Sequence, residues 1–321
     1  MRALRHGWLF AALFFVPAAA ARADLGVGIG VLGDSYSDEY QFYPPHRSTA
    51  RNWVEILAVT RGLNFGAFST AGRGEPRNQG FAYNWARSDA ETGDMIATGQ
   101  HTGLAAQVAR GEVKIVFIFI GGNDFIHALQ SPDPMARLDD VLPRALRNYR
   151  TAFETILAAD PEVKLVVATL PDIRDLPEFA GPIREGRLSP TLAEAYTQAI
   201  RSYNAQIRAL ALRQRRVALL DLDLVTRLAN RVSLDRALLM GRQLDRRSPG
   251  DAIDHVFLAD SRHMGTLGHG FIAQLFIATL NRAFGAGIAP LGDQEVFRFA
   301  TTLAAPPPVM DVATAAVVGK P

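Results

Sequence analysis

The chain has 321 residues, of which 48% are hydrophobic and 21% are charged. These are ordinary values for a globular protein, and they exclude a wholly disordered chain, a collagen and a long coiled coil. The formal net charge is only +2. The chain has no cysteine, which excludes a disulfide framework, a thiolate nucleophile and a cysteine-based zinc site. No apolar run reaches 18 residues, so we expect no membrane span.

Residues 1–23 have the composition of a secretory signal peptide. A basic start is followed by the apolar stretch WLFAALFFV and by Ala21-Arg22-Ala23, an A-x-A cleavage site. Cleavage there removes three arginines and no acid, so the formal net charge falls from +2 to −1 (2 − 3). The electrostatic support for nucleic-acid binding is thereby lost. We predict a mature chain that begins at Asp24 and is periplasmic or secreted.

Short apolar runs alternate with segments of helical spacing along the chain. The runs are near-continuous, as burial of a strand on both faces requires, and they are Leu25–Leu32, Val113–Ile120, Val163–Leu170 and Val217–Leu222, with a weaker fifth at Leu63–Phe68. The helical segments are Asn52–Arg61, Leu104–Arg110, Met135–Ala159, Thr191–Arg215 and Leu267–Phe284. This alternation predicts one α/β domain over residues 24–285, a three-layer α/β/α sandwich with a mainly parallel sheet.

Three stretches do not fit the alternation. Thr70–Gly103 is rich in Gly, Asn, Arg and aromatic residues, which predicts a long ordered loop. Val225–Ala259 is polar and rich in arginine, and we expect a helical excursion over the sheet edge. Residues 286–321 are rich in Ala and Pro, which predicts an extended and poorly ordered C-terminal tail.

Three polar blocks lie where an open α/β sheet binds its ligands, outside the carboxyl ends of the strands. Residues 33–36 (GDSY) end the first strand, residues 121–124 (GGND) end the second, and residues 260–263 (DSRH) precede the last helix. A serine at a strand end lies near backbone N–H groups that stabilise negative charge, and an Asn amide can donate to the same point. An Asp three residues before a His can fix the imidazole tautomer. Each block alone is typical of turns and caps, but together they supply the parts of a serine esterase.

These three blocks together resemble the SGNH, or GDSL-type, hydrolase family, over essentially the whole predicted domain. The resemblance implies the flavodoxin-like SGNH hydrolase fold. It also implies that Ser35 is the nucleophile, His263 the general base and Asp260 the carboxylate that orients it. The Asn123 amide and the Ser35 N–H are implied as donors to the oxyanion.

The chain departs from the family pattern at two positions. Tyr36 stands where the GDSL motif has Leu, and we expect no part for it in the chemistry. In the block that normally supplies a glycine N–H to the oxyanion hole, Asp89 stands where Gly is expected. A carboxylate near the oxyanion would cost about 1–4 kcal/mol, and glycine is better suited to a positive φ. Gly72 or Gly74 could supply the N–H instead; we favour Asp89, because the Asn-x-Ala-x-Ser pattern precedes it.

Other interpretations of these residues are weaker. Residues 28–33 match G-x-G-x-x-G, but only four predicted mature residues precede them, so these glycines must lie inside the strand and not after it. We expect His127 to pack or cap, and His269 could line the site. His255 directly follows Asp254, a spacing that points the two side chains apart. We predict no cofactor and no metal.

The predicted function is hydrolysis of carboxylic esters by an exported serine esterase or lipase. The substrate is a small-molecule, lipid or polysaccharide ester, such as a short acyl ester or an acetylated carbohydrate, and we expect no nucleic-acid partner. A second hypothesis is an SGNH-fold envelope or carbohydrate-binding protein whose catalysis is weakened by Asp89. The sequence favours no particular acyl group, alcohol or oligomeric state.

Overall fold

The structure is a computed structural model of the chain. It describes residues 26–45, 47–72, 79–231, 236–239 and 242–303, with the backbone alone at 236–239 and 242. The predicted signal peptide, Gly74 and the tail beyond residue 303 lie outside the described residues.

The described chain contains eight strands and ten α-helices. The strands are β1 (Gly28–Gly33), β2 (Phe68–Ser69), β3 (Gly80–Phe81), β4 (Val113–Phe119), β5 (Lys164–Ala168), β6 (Val217–Leu220), β7 (Arg236–Leu239) and β8 (Arg242–Asp245). The helices are α1 (Trp53–Arg61), α2 (Thr92–Ala97), α3 (Gln100–Ala109), α4 (Gly122–Leu129), α5 (Pro134–Ala159), α6 (Pro177–Arg184), α7 (Pro190–Leu212), α8 (Leu222–Arg231), α9 (Thr266–Phe284) and α10 (Asp293–Thr302).

Four parallel strands in the order β1-β4-β5-β6 form the central sheet. Helices cover both of its faces, where α1 packs on α9 and α3 and α7 pack on α5. All six residues of β1 are buried, as burial on both faces of a parallel sheet requires. A Cβ added at Gly30 would lie 2.4 Å from a Leu104 methyl, so glycine allows α3 to approach β1 closely. The predicted three-layer α/β/α fold is confirmed.

The four main predicted strands are present in the structure, and so are the five predicted helices, with boundaries that differ by a few residues. The fifth candidate, Leu63–Phe68, is wrong as a strand of the sheet, because only Asn64 forms a bridge, with Gly28. Gly62 (φ 63°) and Gly66 (φ 87°) have left-handed backbone on either side of Asn64, which interrupts an extended segment. Phe68 instead begins β2, which pairs with β3.

The three irregular stretches contain more regular structure than predicted. Thr70–Gly103 includes α2 and the start of α3, and α2 begins at a capping box formed by Glu91 and Asp94. Val225–Ala259 is not a helical excursion, because α8 ends at Arg231 and the hairpin β7–β8 follows. The predicted extended tail is wrong over residues 286–303, where α10 forms and packs on α9.

Candidate active site

Ser35 lies on a tight turn directly after β1. The Asp34 carbonyl accepts the N–H groups of Ser37 and Asp38, and the Asp34 carboxylate accepts the N–H of Tyr36 at 3.0 Å. This turn leaves Ser35 only 5% exposed. Among the described residues no acceptor takes the Ser35 N–H.

His263 and Asp260 form a hydrogen-bonded chain that ends at Ser35. Asp260 Oδ2 is 2.6 Å from His263 Nδ1, and His263 Nε2 is 2.8 Å from Ser35 Oγ. Asp260 Oδ1 also accepts the backbone N–H groups of Arg262 and His263. Because Nδ1 donates to the carboxylate, Nε2 is free to accept the serine proton. The turn between the two residues has left-handed backbone at Ser261, with φ 67°.

The Asp260 carboxylate is stabilised in its ionised form. Burial by itself raises its pKa, but the hydrogen bond and the charge interaction with His263 outweigh burial and lower the pKa to about 2. Asp260 therefore stays negatively charged at any pH above about 4. In that state it can hold the imidazole in one orientation and stabilise the imidazolium that proton transfer creates.

Asn123 enters the same space from the start of α4. It is 5% exposed and its Nδ2 donates to the Ala90 carbonyl at 3.1 Å. An Asn amide carries two hydrogens, so the second remains available to a ligand. Gly121 caps the helix with φ 118°, and a Cβ there would lie 2.7 Å from the Tyr203 hydroxyl. The β4–α4 turn that aims Asn123 therefore requires glycine.

Asp89 lies on the loop that passes Asn123 and the end of β1. The Arg87 N–H donates to the Gly33 carbonyl at 3.2 Å, and Ala90 accepts from Asn123 as described above. Asp89 has φ 69°, a conformation that glycine adopts at little cost and that other residues rarely adopt. No acceptor among the described residues takes its N–H. The alternative Gly72 is exposed on the connection between β2 and β3.

A mainly apolar pocket opens beside Ser35 and Asn123. Its apolar wall contains side chains from the end of β4, from the segment between β5 and α6, and from α4 and α7, namely Phe119, Ile126, Leu170, Ile173, Leu176 and Ile200. Arg262 also lines it, and its guanidinium makes a bidentate pair with Glu178 of α6 at 2.6 and 2.7 Å. The pocket places apolar surface next to the Ser35 hydroxyl and two hydrogen-bond donors, the Ser35 N–H and the Asn123 amide. This combination is typical of small-molecule sites.

Two contacts of the site were not anticipated from the sequence. Tyr36 donates its hydroxyl hydrogen to the Arg262 carbonyl at 2.7 Å, and its ring centroid is 6.1 Å from that of His263. Tyr36 therefore packs beside the candidate catalytic residues, and the expectation that it takes no part in the chemistry stays a prediction. His127, expected to pack or cap, lies 3.1 Å from the Asp89 carboxylate and 2.9 Å from that of Glu91. A tyrosine in place of an apolar motif residue was the sequence signal for the first contact; the second had none.

The other histidines that the structure describes do not join the chain of hydrogen bonds at Ser35. His269 is fully buried with Nε2 2.8 Å from the Tyr40 hydroxyl. Burial lowers its pKa to about 3, so it is neutral at ordinary pH. His255 Nδ1 lies 2.7 Å from the Ser248 carbonyl.

Several carboxyl groups around the site are buried. Burial is the largest cause that raises the pKa of Asp34 to about 7, of Glu39 to about 8, of Glu55 to about 7 and of Asp124 to about 6.

Within the part of the chain that the structure describes, no three His, Asp or Glu side chains are grouped to hold a metal ion. None of the described helices is long and apolar enough to cross a membrane.

The domain has three α/β layers, and hydrogen bonds join a serine, a histidine and an aspartate at the carboxyl edge of its sheet. This combination is typical of the class of hydrolase folds. The GDSL-like Lipase/Acylhydrolase family matches residues 31–269, and the chain belongs to that family. The family interpretation is confirmed, and the protein is an ester-hydrolysing enzyme.

Solved structures with similar folds include two lipases and a carbohydrate esterase. A lipase from a goat rumen metagenome is 14% identical with a TM-score of 0.48 over 82% of this chain and 98% of the other. An extracellular lipase from Streptomyces rimosus is 16% identical, with a TM-score of 0.46 over 79% and 99%. A family 3 carbohydrate esterase from Clostridium thermocellum is 15% identical, with a TM-score of 0.42 over 82% and 99%. No curated protein sequence matches the chain.

Proposed function

We propose that this enzyme is an exported serine esterase that acts through an acyl-enzyme, with Ser35 as nucleophile, His263 as general base and Asp260 as the orienting carboxylate. The observation that carries the proposal is the 2.8 Å contact between Ser35 Oγ and His263 Nε2, with Asp260 2.6 Å behind the imidazole. Both distances are within hydrogen-bond reach, as a nucleophile, its base and the group that orients the base require.

The reaction runs in two halves. Ser35 Oγ forms a bond to the ester carbonyl carbon as its proton passes to His263 Nε2, and the carbonyl oxygen becomes an oxyanion. The C–O bond to the alcohol then breaks, and the alcohol leaves with the proton from His263. Water attacks the acyl-serine while His263 takes its proton, and that proton returns to Ser35 Oγ as the carboxylic acid leaves.

Three donors converge on the oxyanion in this proposal: the N–H of Ser35, the amide of Asn123 and the N–H of Asp89. Two of them are backbone groups with no acceptor among the described residues, and the third is a buried side chain with one hydrogen to spare. Fixed donors of this kind stabilise the developing charge without reorganising during the reaction.

The apolar pocket is the proposed acyl site. Its lining includes Ser35 together with Leu170, Leu176 and Ile200, side chains that cannot hydrogen-bond to a sugar or a headgroup. The acyl chain therefore enters the pocket and the alcohol faces the solvent side, which accommodates short acyl esters, lipid esters and acetylated carbohydrates.

Export is the part of the proposal that rests on residues 1–23 alone. A basic start, an apolar stretch and an A-x-A sequence are what a signal peptidase requires. Expression in a bacterium with an intact export pathway should give periplasmic or secreted protein whose N-terminal sequence begins at Asp24. Cytoplasmic protein that retains residues 1–23 would contradict export.

Hydrolysis of p-nitrophenyl esters of increasing chain length tests the esterase. The mature protein and its Ser35→Ala variant are compared with Ser202→Ala, which loses an exposed hydroxyl on α7. We expect turnover to disappear only in Ser35→Ala, and to peak at the chain length that fills the pocket. Turnover that survives Ser35→Ala would reject the mechanism. If the native protein binds acetylated sugars and hydrolyses none of these esters, the non-catalytic carbohydrate-binding hypothesis replaces it.

A further inference from the structure

Asp89 is unfavourable at its position for two reasons, the charge of its carboxylate and its backbone conformation. A carboxylate on the loop beside the oxyanion would repel it, and φ 69° is a costly conformation for a residue other than glycine. Such a residue persists only when its surroundings hold it in place. The structure shows which side chain does so.

His127 contacts both acidic side chains of this loop. Its Nε2 is 3.1 Å from Asp89 Oδ1 and its Nδ1 is 2.9 Å from Glu91 Oε1. Glu91 is held in turn by Arg144, whose Nη2 is 3.5 Å from Glu91 Oε2. The Asp89 side chain is 75% exposed, so His127 holds it at the solvent side of the loop.

The position of His127 on α4 explains why it can do this. It lies four residues after Asn123, and side chains at i and i+4 share one face of a helix. The same face therefore binds three consecutive residues of the loop: Asn123 binds the Ala90 carbonyl, and His127 binds the carboxylates on either side of it.

A hydrogen on a ring nitrogen of His127 can be donated to the carboxylate that lies beside that nitrogen. Such a hydrogen bond fixes the direction in which the carboxylate points.

We infer that His127 is a positioning residue for the oxyanion hole: it draws the Asp89 carboxylate away from the reacting carbonyl and so keeps the Asp89 N–H available to it. This inference rests on the proposed function. It assigns His127 a role that depends on Asp89 and disappears when residue 89 is glycine.

A double-mutant cycle tests that dependence. His127→Ala should lower kcat at least fivefold in the native background while KM changes less than twofold, because the interaction acts on the transition state. Asp89→Gly should raise kcat above the native value, because it removes the carboxylate and keeps the backbone N–H. Adding His127→Ala to Asp89→Gly should change kcat less than twofold, since residue 89 then has no carboxylate to be held away from the oxyanion.

A surface ion pair at the opposite edge of the sheet supplies the matched control. Lys114→Ala removes the 2.8 Å pair between Lys114 and Asp160 near the start of β4, and it should leave kcat within twofold. If His127→Ala does not fold, His127→Gln replaces it in the same cycle. Equal losses in the two backgrounds, or no loss in the native background, would overturn the inference.

Imidazole nitrogen NMR separates a failure of this inference from a failure of the esterase proposal. Asp89→Asn should shift the Nε2 resonance of His127 and leave that of His255 unchanged. An unchanged His127 resonance overturns the inference even in an active enzyme. An inactive native protein rejects the esterase instead, and the contact between His127 and Asp89 is then judged from the spectrum.

Discussion

The side-chain amide of Asn123 has two roles, one in the structure of the neighbouring loop and one in the proposed chemistry. One hydrogen of that amide fixes the loop at Ala90, and the other faces the pocket that contains Ser35. Removing the side chain takes away a donor that is fixed before substrate arrives, and it leaves the Ser35–His263–Asp260 chain in place. Catalysis should therefore weaken without being abolished.

We expect Asn123→Ala to lower kcat by about 10²–10³ with little change in KM, as loss of one oxyanion donor does elsewhere. Steady-state kinetics on a short-chain p-nitrophenyl ester provide the measurement. Asn64→Ala is the control, because Asn64 lies beside the first residue of β1, at the far edge of the sheet. Native turnover in Asn123→Ala with an unchanged thermal unfolding temperature would contradict the assignment.

Sequence alone located the residues of the site that lie in local blocks. Ser35, Asn123, Asp260 and His263 follow strands or precede a helix, and the structure brings them together. The contacts of Tyr36 and His127 could not be predicted in this way. Each joins segments far apart in the chain, 226 residues apart for Tyr36 and Arg262, and a single sequence does not show which residue each of them contacts.

At the scale of the elements, α10 extends the folded domain beyond its predicted end. Ile288, Leu291 and Val296 are at most 5% exposed, and Val296 packs directly over Gly270 of α9, where a Cβ would meet its methyl group at 2.2 Å. Arg61 of α1 also pairs with Glu295 at 2.7 Å. The composition of residues 286–321 as a whole suggested a tail because its Ala and Pro content obscures this short amphipathic segment.

Val296→Ala should destabilise the fold by about 1–2 kcal/mol, since it removes two buried methyl groups at a helix–helix contact. Val59→Ala removes the same groups from a side chain that is 54% exposed on α1, and it should cost less than about 0.5 kcal/mol. Urea denaturation measures both variants. Equal effects would show that α10 does not contribute to the core.

The helices and strands with a strong hydrophobic pattern are the ones that the sequence predicted correctly. The central strands are near-continuous apolar runs and the long helices have regular apolar spacing, so both kinds were found to within a few residues. The hairpin β7–β8 was missed because the segment around it is polar and rich in arginine, and α2 has only six residues. Such elements are determined by tertiary contacts and caps more than by periodicity.

For the molecule as a whole, the buried carboxyl groups make stability depend on pH. Burial raises the pKa of Glu39 to about 8 and those of Asp34 and Glu55 to about 7, whereas the same groups in the unfolded chain titrate near 4. Above pH 4 the folded state therefore binds more protons than the unfolded state, and stability falls as pH rises through these values. The pKa of His269 is lowered to about 3 in the folded protein. Below about pH 6.5 the unfolded state therefore binds more protons at this residue, so His269 by itself makes stability rise with pH there.

The unfolding temperature should therefore fall by at least about 2 °C between pH 6.5 and pH 8.5. Glu39→Gln should reduce this fall, because the amide needs no proton to remain neutral and can still accept the Phe81 N–H. Circular dichroism melts at four pH values provide the test. A slope that is the same in Glu39→Gln and in the native protein would show that Glu39 is not among the groups responsible.

The separation of 228 positions between Ser35 and His263 has a consequence for how this enzyme comes into being. Ser35 is among the first residues of the domain to leave the ribosome, and His263 is among the last. In the proposed mechanism, Ser35 has no base to take its proton until the segment that contains His263 has been synthesised and has folded. Completing the fold is therefore the step that gives the growing chain its activity. An esterase assay therefore reports the fraction of molecules that have folded to the end.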